Sequence, residues 1–239
     1  METVTAFQEN LARIEECIHR ACRRAGRPRE AVRLMAVSKT HPAEAIAEAV
    51  AAGVTLIGEN RVQEFESKRP RLTELGITNA EIHLIGHLQS NKSTRAAELF
   101  SAIDTVDSLR LAQRLNDAAG KLGRPLPILI EIKLSSEPAK TGLDPAGPDL
   151  RTLLQRLPGL AHLRLRGLMT IPPLDDRPET ARASFHTLRT VRDTLAQQFP
   201  GLDFSELSMG MSGDFEIAIE EGSTLIRIGT ALFGERPRP

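Results

Sequence analysis

The sequence predicts a single (β/α)₈ barrel, also called a TIM barrel, with one extra helix at its amino terminus. Eight short apolar segments alternate with helical segments along the 239 residues, which is the order of elements in this fold. Most of these apolar segments are continuous, as expected for parallel strands that are buried on both faces. No linker or low-complexity segment interrupts the pattern, so we expect one domain over residues 1–239.

The first predicted element is an amphipathic helix over residues 4–24. Apolar residues recur there at the spacing of one helical face, namely Phe7, Leu11, Ile14, Cys17, Ile18 and Ala21. The polar segment 26–30 contains Pro28, which ends this helix.

The eight strands are predicted from apolar segments bounded by turn residues. They cover residues 33–38, 54–58, 82–86, 102–106, 127–134, 163–170, 206–209 and 224–228. The clearest helices between them cover residues 42–52, 61–72, 94–100, 109–122, 148–157 and 180–198. Only residues 231–239 follow the last strand, so we expect helix 4–24 to cover that side of the barrel. A doubly wound open sheet is the alternative fold with the same alternation.

The composition and net charge of the chain argue against nucleic acid and membranes as binding partners. Thirty-one basic residues balance 31 acidic ones, and a neutral chain has no long-range field that attracts nucleic acid or anionic membranes. No signal peptide or membrane-spanning segment is predicted. The two cysteines, Cys17 and Cys22, lie on one predicted helix and suggest no disulfide framework, so we expect a reducing cytoplasmic location.

Absent residues and motifs exclude several chemistries. The chain contains no tyrosine and no tryptophan, which excludes any mechanism that requires a tyrosine base. No HExxH or paired-cysteine motif occurs and the six histidines are scattered, so no metal site is expected.

Small and polar residues follow the last two predicted strands. Barrel enzymes carry their chemistry at the carboxyl ends of the strands, and the loops after strands seven and eight commonly bind phosphate. Gly210, Ser212, Gly229 and Thr230 lie in these loops, where backbone N–H groups and hydroxyls can contact phosphate oxygens. The alternative is that the glycines only form tight turns.

Lys39 follows the apolar segment LMAVS and Arg227 lies on the last predicted strand. The Lys39 amine is therefore expected at the mouth of the barrel, where desolvation and a nearby guanidinium would lower the pKa of an amine and favour a Schiff-base nucleophile. A solvated or salt-bridged lysine is the alternative. For Arg227, a buried pair with a carboxylate is the alternative to a contact with a cofactor ring.

Six segments resemble the pyridoxal phosphate homeostasis protein family. The similarity runs in order from about residue 5 to residue 234, and its motifs are LMAVSKT (34–40), IGENRVQE (57–64), HLIGHLQSNK (83–92), LRLRGLMTIP (163–172), LSMGMSGDFEIAI (207–219) and STLIRIGTALFG (223–234). The resemblance implies a barrel like the amino-terminal domain of alanine racemases, with pyridoxal 5′-phosphate as its cofactor.

The resemblance also implies a role for each matching residue. Lys39 matches the Schiff-base lysine, and Arg227 matches the arginine that faces the pyridine nitrogen. The phosphate contacts match Ser212, Gly229 and Thr230, and further pocket positions match Asn60, His83 and Met211. The sequence departs from the family at Lys133, where asparagine is usual, and a lysine there is expected to alter the environment of Lys39.

The resemblance implies a carrier or buffer of the cofactor in vitamin B6 homeostasis, with no established catalysis. We expect a monomer that delivers the cofactor to apoenzymes. Racemisation by the alanine racemase mechanism is excluded because it needs a tyrosine from a second domain. Three alternatives stay open: a Schiff-base aldolase that uses Lys39 on a sugar phosphate, a weak cofactor-dependent amino-acid enzyme, and a regulatory barrel that contacts a partner through residues 89–92 and Lys140.

Overall fold

The eight predicted strands form a closed parallel barrel in sequential order, β1 to β8. The computed structural model describes residues 4–135, 141–173 and 177–234. The strands are β1 Arg33–Val37, β2 Leu56–Glu59, β3 Glu81–Leu84, β4 Ala102–Val106, β5 Leu126–Glu131, β6 Leu163–Met169, β7 Glu206–Ser208 and β8 Leu225–Ile228. β1 pairs in parallel with both β2 and β8, so the sheet closes on itself and the predicted barrel is confirmed over the open alternative.

The described helices surround this barrel. They are α1 Ala6–Arg24, α2 Ala43–Ala51, α3 Val62–Glu74, α4 Ser93–Leu99, α5 Leu109–Lys121, α6 Pro148–Arg156, α7 Pro178–Gln198, α8 Phe215–Glu220 and α9 Thr230–Phe233. Short 3₁₀ turns occupy Arg29–Ala31, Ser90–Lys92 and Leu157–Gly159. None of the described helices is long and apolar enough to span a bilayer.

The apolar core has two parts, one inside the barrel and one between the barrel and its helices. A small cluster of Met35, Val37, Leu56, Ile85 and Leu225 fills the inside of the barrel. The larger cluster includes Ala36 and lies outside the sheet. Side chains of a strand alternate between its two faces, so β1 directs Met35, Val37 and then Lys39 inward.

The amino-terminal helix covers the side of the barrel next to the last strand, as predicted. The hydroxyl of Thr5 accepts the N–H of Gln8 at 3.3 Å, and the Gln8 side chain accepts the N–H of Thr5 at 2.9 Å. This capping box fixes the start of α1. The apolar face of α1 packs on α8 and α9, and the Asn10 amide donates to the Leu232 carbonyl at 2.9 Å.

Two strands, β3 and β5, end two or more residues earlier than their apolar segments predict. After β5, the Lys133 N–H donates to the Leu143 carbonyl and the Leu143 N–H donates to the Glu131 carbonyl, at 2.9 and 2.8 Å. From Lys133 onward, the chain therefore pairs with Leu143, in the segment that leads to α6, and no longer with β6. After β3, Gly86 packs on the backbone of Asn60, and a Cβ at Gly86 would lie 2.2 Å from the Asn60 carbonyl oxygen. Both departures open the carboxyl end of the barrel.

Candidate functional site

A cavity of about 410 Å³ lies at the carboxyl end of the barrel. The structure brings seven of the eight predicted site residues to its wall, namely Lys39, Asn60, Met211, Ser212, Arg227, Gly229 and Thr230. Seven of the eight strands, all except β4, contribute to the wall, either directly or through the loop that follows. Its volume lies within the range of about 300–1,000 Å³ that is usual for small-molecule sites.

Arg227 is buried beneath this cavity, with 4% of its surface exposed. Its Nη1 donates to the Ser208 hydroxyl at 2.7 Å and its Nη2 donates to the Thr170 carbonyl at 2.8 Å. Burial lowers the pKa of Arg227, and the carboxylates of Asp104, Asp214 and Glu131 oppose that change. A guanidinium keeps its proton at neutral pH, so the site contains a fixed cation that is held by two neutral acceptors.

The loop after β7 is shaped by Gly210 and Asp214. Gly210 adopts a left-handed backbone with φ of +98°, and a Cβ there would lie 2.6 Å from the Cβ of Ala218, so the position requires glycine. The Asp214 carboxylate accepts the Met211 N–H at 2.6 Å. Burial raises the pKa of Asp214, while the Met211 N–H and Arg227 oppose the rise. This bond fixes the segment that carries Ser212.

The loops after β7 and β8 meet at Ser212. The Ser212 hydroxyl accepts the N–H of Ala231 at 3.4 Å, which joins the residue after Thr230 to the preceding loop. Gly229 lies against β1, and a Cβ there would lie 3.3 Å from the Val37 carbonyl oxygen. The two loops therefore form one concave surface of hydroxyls and backbone N–H groups, with donors suited to an anion.

The sequence did not identify Glu131 and Thr141 as lining residues of this cavity. Glu131 is 4% exposed, and the Thr141 hydroxyl donates to its two oxygens at 2.9 and 3.1 Å. Burial raises the pKa of Glu131, opposed by Thr141 and Arg227. One signal was available, since a lone acid within the apolar segment of β5 implies a buried and partnered carboxyl group. Gly213, which the sequence places in the predicted phosphate loop after β7, also lines the cavity, and the other lining residues are Val37, Ile85, Gly86, His87 and Ile171.

Two lysines named from the sequence have different positions. Lys133 is not among the residues that line the cavity, because the loop pairing with Leu143 carries the chain away after Glu131. Lys140 lies outside the described residues. Lys92 lines a separate groove beside the mouth, which shares Asn60 and His87 with the cavity wall.

His83 is the predicted site residue that the structure does not bring to the cavity. It lies inside the opposite end of the barrel, where it lines a second cavity with Glu81, Asp104, Arg33 and other charged residues. Its Nδ1 lies 3.0 Å from Asp104 Oδ1 and its Nε2 lies 2.9 Å from Glu81 Oε1. Burial disfavours the imidazolium, but the two carboxylates outweigh it and raise the pKa of His83 to about 10.

We expect His83 to make the unfolding free energy of the protein depend on pH. Because the pKa of His83 rises from 6.5 to about 10 on folding, its contribution is complete below pH 6.5 and is lost as the pH rises through 10. Urea unfolding should show the advantage of wild type over His83→Gln shrinking by on the order of 3 kcal/mol across this window. The exposed His19→Gln variant is the control. Parallel profiles for wild type and His83→Gln would contradict this role.

Metal ligands are not grouped in the described part of the chain. Within residues 4–135, 141–173 and 177–234, no set of three or more histidine, cysteine, aspartate or glutamate side chains could hold a metal ion.

Comparisons with known proteins give consistent matches. Residues 9–237 match the family model described as alanine racemase, N-terminal domain. The chain is 46% identical over 235 residues to the pyridoxal phosphate homeostasis protein of Vibrio alginolyticus, with 98% of this chain and 99% of the relative covered. The structure of PipY from Synechococcus elongatus with PLP bound matches with a TM-score of 0.84 at 45% identity, covering 95% of this chain and 100% of PipY. Alanine racemase of Clostridium difficile shares the fold, with a TM-score of 0.73 at 18% identity over 97% of this chain and 57% of the racemase.

Proposed function

This chain belongs to the pyridoxal phosphate homeostasis protein family, and we propose that it binds pyridoxal 5′-phosphate at the mouth of its barrel and serves in vitamin B6 homeostasis. The observation that carries the proposal is the convergence of Lys39, Arg227 and Ser212 on one cavity. Independent support comes from PipY, a relative of 45% identity whose structure contains PLP.

The donors in the cavity fit the three functional groups of this cofactor. The phosphate is anionic, and the hydroxyls of Ser212 and Thr230 face the same concave surface as the backbone around Gly229. The ring nitrogen is an acceptor, and Arg227 is a buried permanent donor. The aldehyde requires a primary amine, which Lys39 supplies. In the proposed attachment, the Lys39 nitrogen attacks the aldehyde carbon, a C=N bond forms and water leaves.

Arg227 favours retention of the cofactor over turnover. When bound, the cofactor supplies an electron-withdrawing ring that stabilises carbanions. A guanidinium that donates to the ring nitrogen disfavours protonation of that nitrogen and weakens the withdrawal. The 239 residues contain no tyrosine, so the chain has no counterpart of the tyrosine base of alanine racemases. We therefore propose a carrier or buffer without catalytic turnover, although the fold is shared with enzymes.

The partners follow from the carrier role. We propose that apoenzymes dependent on this cofactor receive it, that the protein acts as a monomer with one domain over residues 1–239, and that it works in the cytoplasm. The formal charge of zero supports a protein that binds neither nucleic acid nor anionic membranes.

The proposal is tested by trapping the cofactor on the protein. Purified wild-type protein is incubated with pyridoxal 5′-phosphate, reduced with borohydride, digested and mapped by mass spectrometry. We expect one phosphopyridoxyl group per chain, attached to the peptide that contains Lys39. Racemase and decarboxylase assays on the loaded protein should show no turnover above the free cofactor. If no adduct forms, the proposal is wrong and sugar-phosphate aldolase assays are the next measurement.

A further inference from the structure

A buried cluster behind Lys39 holds both peptide groups of that residue. The cluster consists of Glu59 at the end of β2 and of Glu64 and Lys68 on α3, and we call it the Lys68 clamp. Lys68 and Glu59 are 8% and 0% exposed, which is unusual for charged residues and requires partners. The clamp lies outside the barrel wall, on the opposite face of β1 from the cavity.

Lys68 is the centre of the clamp. Its Nζ donates to Glu59 Oε1 at 2.7 Å, to Glu64 Oε1 at 2.8 Å and to the Ser38 carbonyl at 3.0 Å. Three acceptors match the three N–H donors of a lysine ammonium. The ammonium is therefore saturated, and one of its bonds ends on the peptide group that precedes Lys39.

The two carboxylates complete the hold on this segment. Glu59 Oε1 accepts the Ser38 hydroxyl at 2.6 Å, and Glu64 Oε1 accepts the Thr40 N–H at 2.5 Å. The Thr40 N–H belongs to the peptide group that follows Lys39. Lys68 and Glu64 thus fix the peptide groups on the two sides of Lys39, and Glu59 holds the Ser38 hydroxyl. The Lys39 side chain itself lines the cavity.

The backbone at Thr40 shows why such a hold is needed. Thr40 has a φ of +67°, the one positive φ of a non-glycine residue in the described ranges. A β-branched residue rarely adopts this left-handed conformation and leaves it unless its surroundings enforce it. The bond from Thr40 to Glu64 is a direct constraint on that conformation. The pKa of Glu64 is lowered: burial would raise it, but the bonds from Lys68 and Thr40 outweigh burial.

We propose that the Lys68 clamp positions Lys39 for the cofactor, with Glu64 as the residue that fixes the backbone after it. The effect of the clamp on cofactor binding rests on the proposed function, whereas its effect on the backbone at Thr40 rests on the geometry alone. The three residues of the clamp are positioning residues and are not among the described residues that line the cavity. Glu64 and Lys68 contact the backbone next to Lys39, and Glu59 contacts the Ser38 hydroxyl and Lys68.

The test compares three variants on α3. Glu64→Ala removes the acceptor for Thr40 but leaves Lys68 paired with Glu59, so the buried charges stay balanced. Glu64→Gln keeps an oxygen acceptor at the same position. Glu66→Ala is the control, because Glu66 lies on the same helix, is exposed, and accepts a hydrogen bond from Arg95 Nε at 2.9 Å.

Two readouts separate the parts of the inference. In the cofactor-free protein, hydrogen exchange in the peptide over residues 36–42 should accelerate about tenfold in Glu64→Ala, the effect of losing a bond to a charged acceptor. After loading, the absorbance band at ~420 nm should decay about tenfold faster on dilution into cofactor-free buffer. Glu64→Gln should restore most of both properties, and Glu66→Ala should match wild type in both.

The exchange rate tests whether Glu64 fixes the backbone, and the decay of the band tests whether this affects the cofactor. Unchanged exchange over residues 36–42 in Glu64→Ala would overturn the clamp. Faster exchange with unchanged decay of the band would overturn its role in positioning Lys39 for the cofactor. If wild type forms no band, the proposed function is wrong, and the exchange measurement still decides whether Glu64 fixes the backbone at Thr40.

Discussion

Replacement of Lys39 by alanine is expected to abolish the absorbance band at ~420 nm and the adduct that borohydride traps. The physical reason is that Lys39 is the one lysine among the described residues that line the mouth cavity. The side chains of Ser212, Thr230 and Arg227, which we propose as noncovalent contacts of the cofactor, remain in this variant. The cofactor should therefore still bind, but weakly, and should be lost on gel filtration.

The matched control for Lys39→Ala is Lys92→Ala. Lys92 lines the neighbouring groove and not the cavity, so its removal should leave the band and the adduct intact. Absorbance is a sensitive probe here, because a chain without tyrosine and tryptophan absorbs little near the ultraviolet protein maximum. A band that persists in Lys39→Ala would show that another amine holds the cofactor.

Replacement of Arg227 by methionine is expected to cause the largest loss of stability among these variants. The change removes the bonds to Ser208 and Thr170. It also removes the positive charge that the carboxylates of Asp104, Asp214 and Glu131 favour at this position. Ser208 and Thr170 are both buried, so their oxygens lose a charged donor, and hydrogen bonds to charged groups typically contribute about 1.5–3 kcal/mol each. Urea unfolding of the cofactor-free protein measures this difference directly.

The control for Arg227→Met is Arg61→Met. Arg61 is exposed at the rim of the barrel mouth, and exposed substitutions usually change stability by less than about 0.5 kcal/mol. A stability of Arg227→Met within that margin of wild type would contradict the role of Arg227 as a buried hydrogen-bond donor that stabilises the fold. The interpretation of Arg227 as a donor to the cofactor ring would then need separate evidence.

The sequence predicted the barrel because its signals are local and repeated. Each strand is a short apolar segment, and the family motifs place Lys39, Arg227 and the two glycine-containing loops at the carboxyl ends of their strands. These positions follow from counting along single strands. The resemblance to known proteins added the expected cofactor, which composition and spacing alone do not identify.

His83 shows where such counting fails. It lies on β3 and points inward, as alternation requires, but it lies at the opposite end of the barrel with Asp104 and Glu81. The depth of a residue along the barrel axis depends on the stagger between neighbouring strands. Here that stagger places His83 beside Ala102, the first residue of β4. The stagger cannot be predicted from the sequence of one strand. Glu131 was missed for a related reason, since the β5 segment continues as an apolar run beyond the point at which the strand ends.

The Lys68 clamp was also not predicted, because its members come from separate elements. Glu64 and Lys68 have the i, i+4 spacing of a common surface ion pair. Nothing in that spacing indicates that Glu59 approaches from β2 or that Ser38 and Thr40 complete the set. Only the packing of α3 against β1 and β2 converts an ordinary helical pair into a buried one.

The position of α1 has a consequence for how the chain reaches its native state. The bond from Asn10 to Leu232 joins residues 222 positions apart, so the apolar face of α1 finds its partners only after almost the whole chain is available. Contacts of such large sequence separation slow folding because the loop must close before they form. During synthesis the contacts of α1 with α8 and α9 therefore form late, and we expect a circular permutant that places α1 after α9 to make these contacts local and to fold faster.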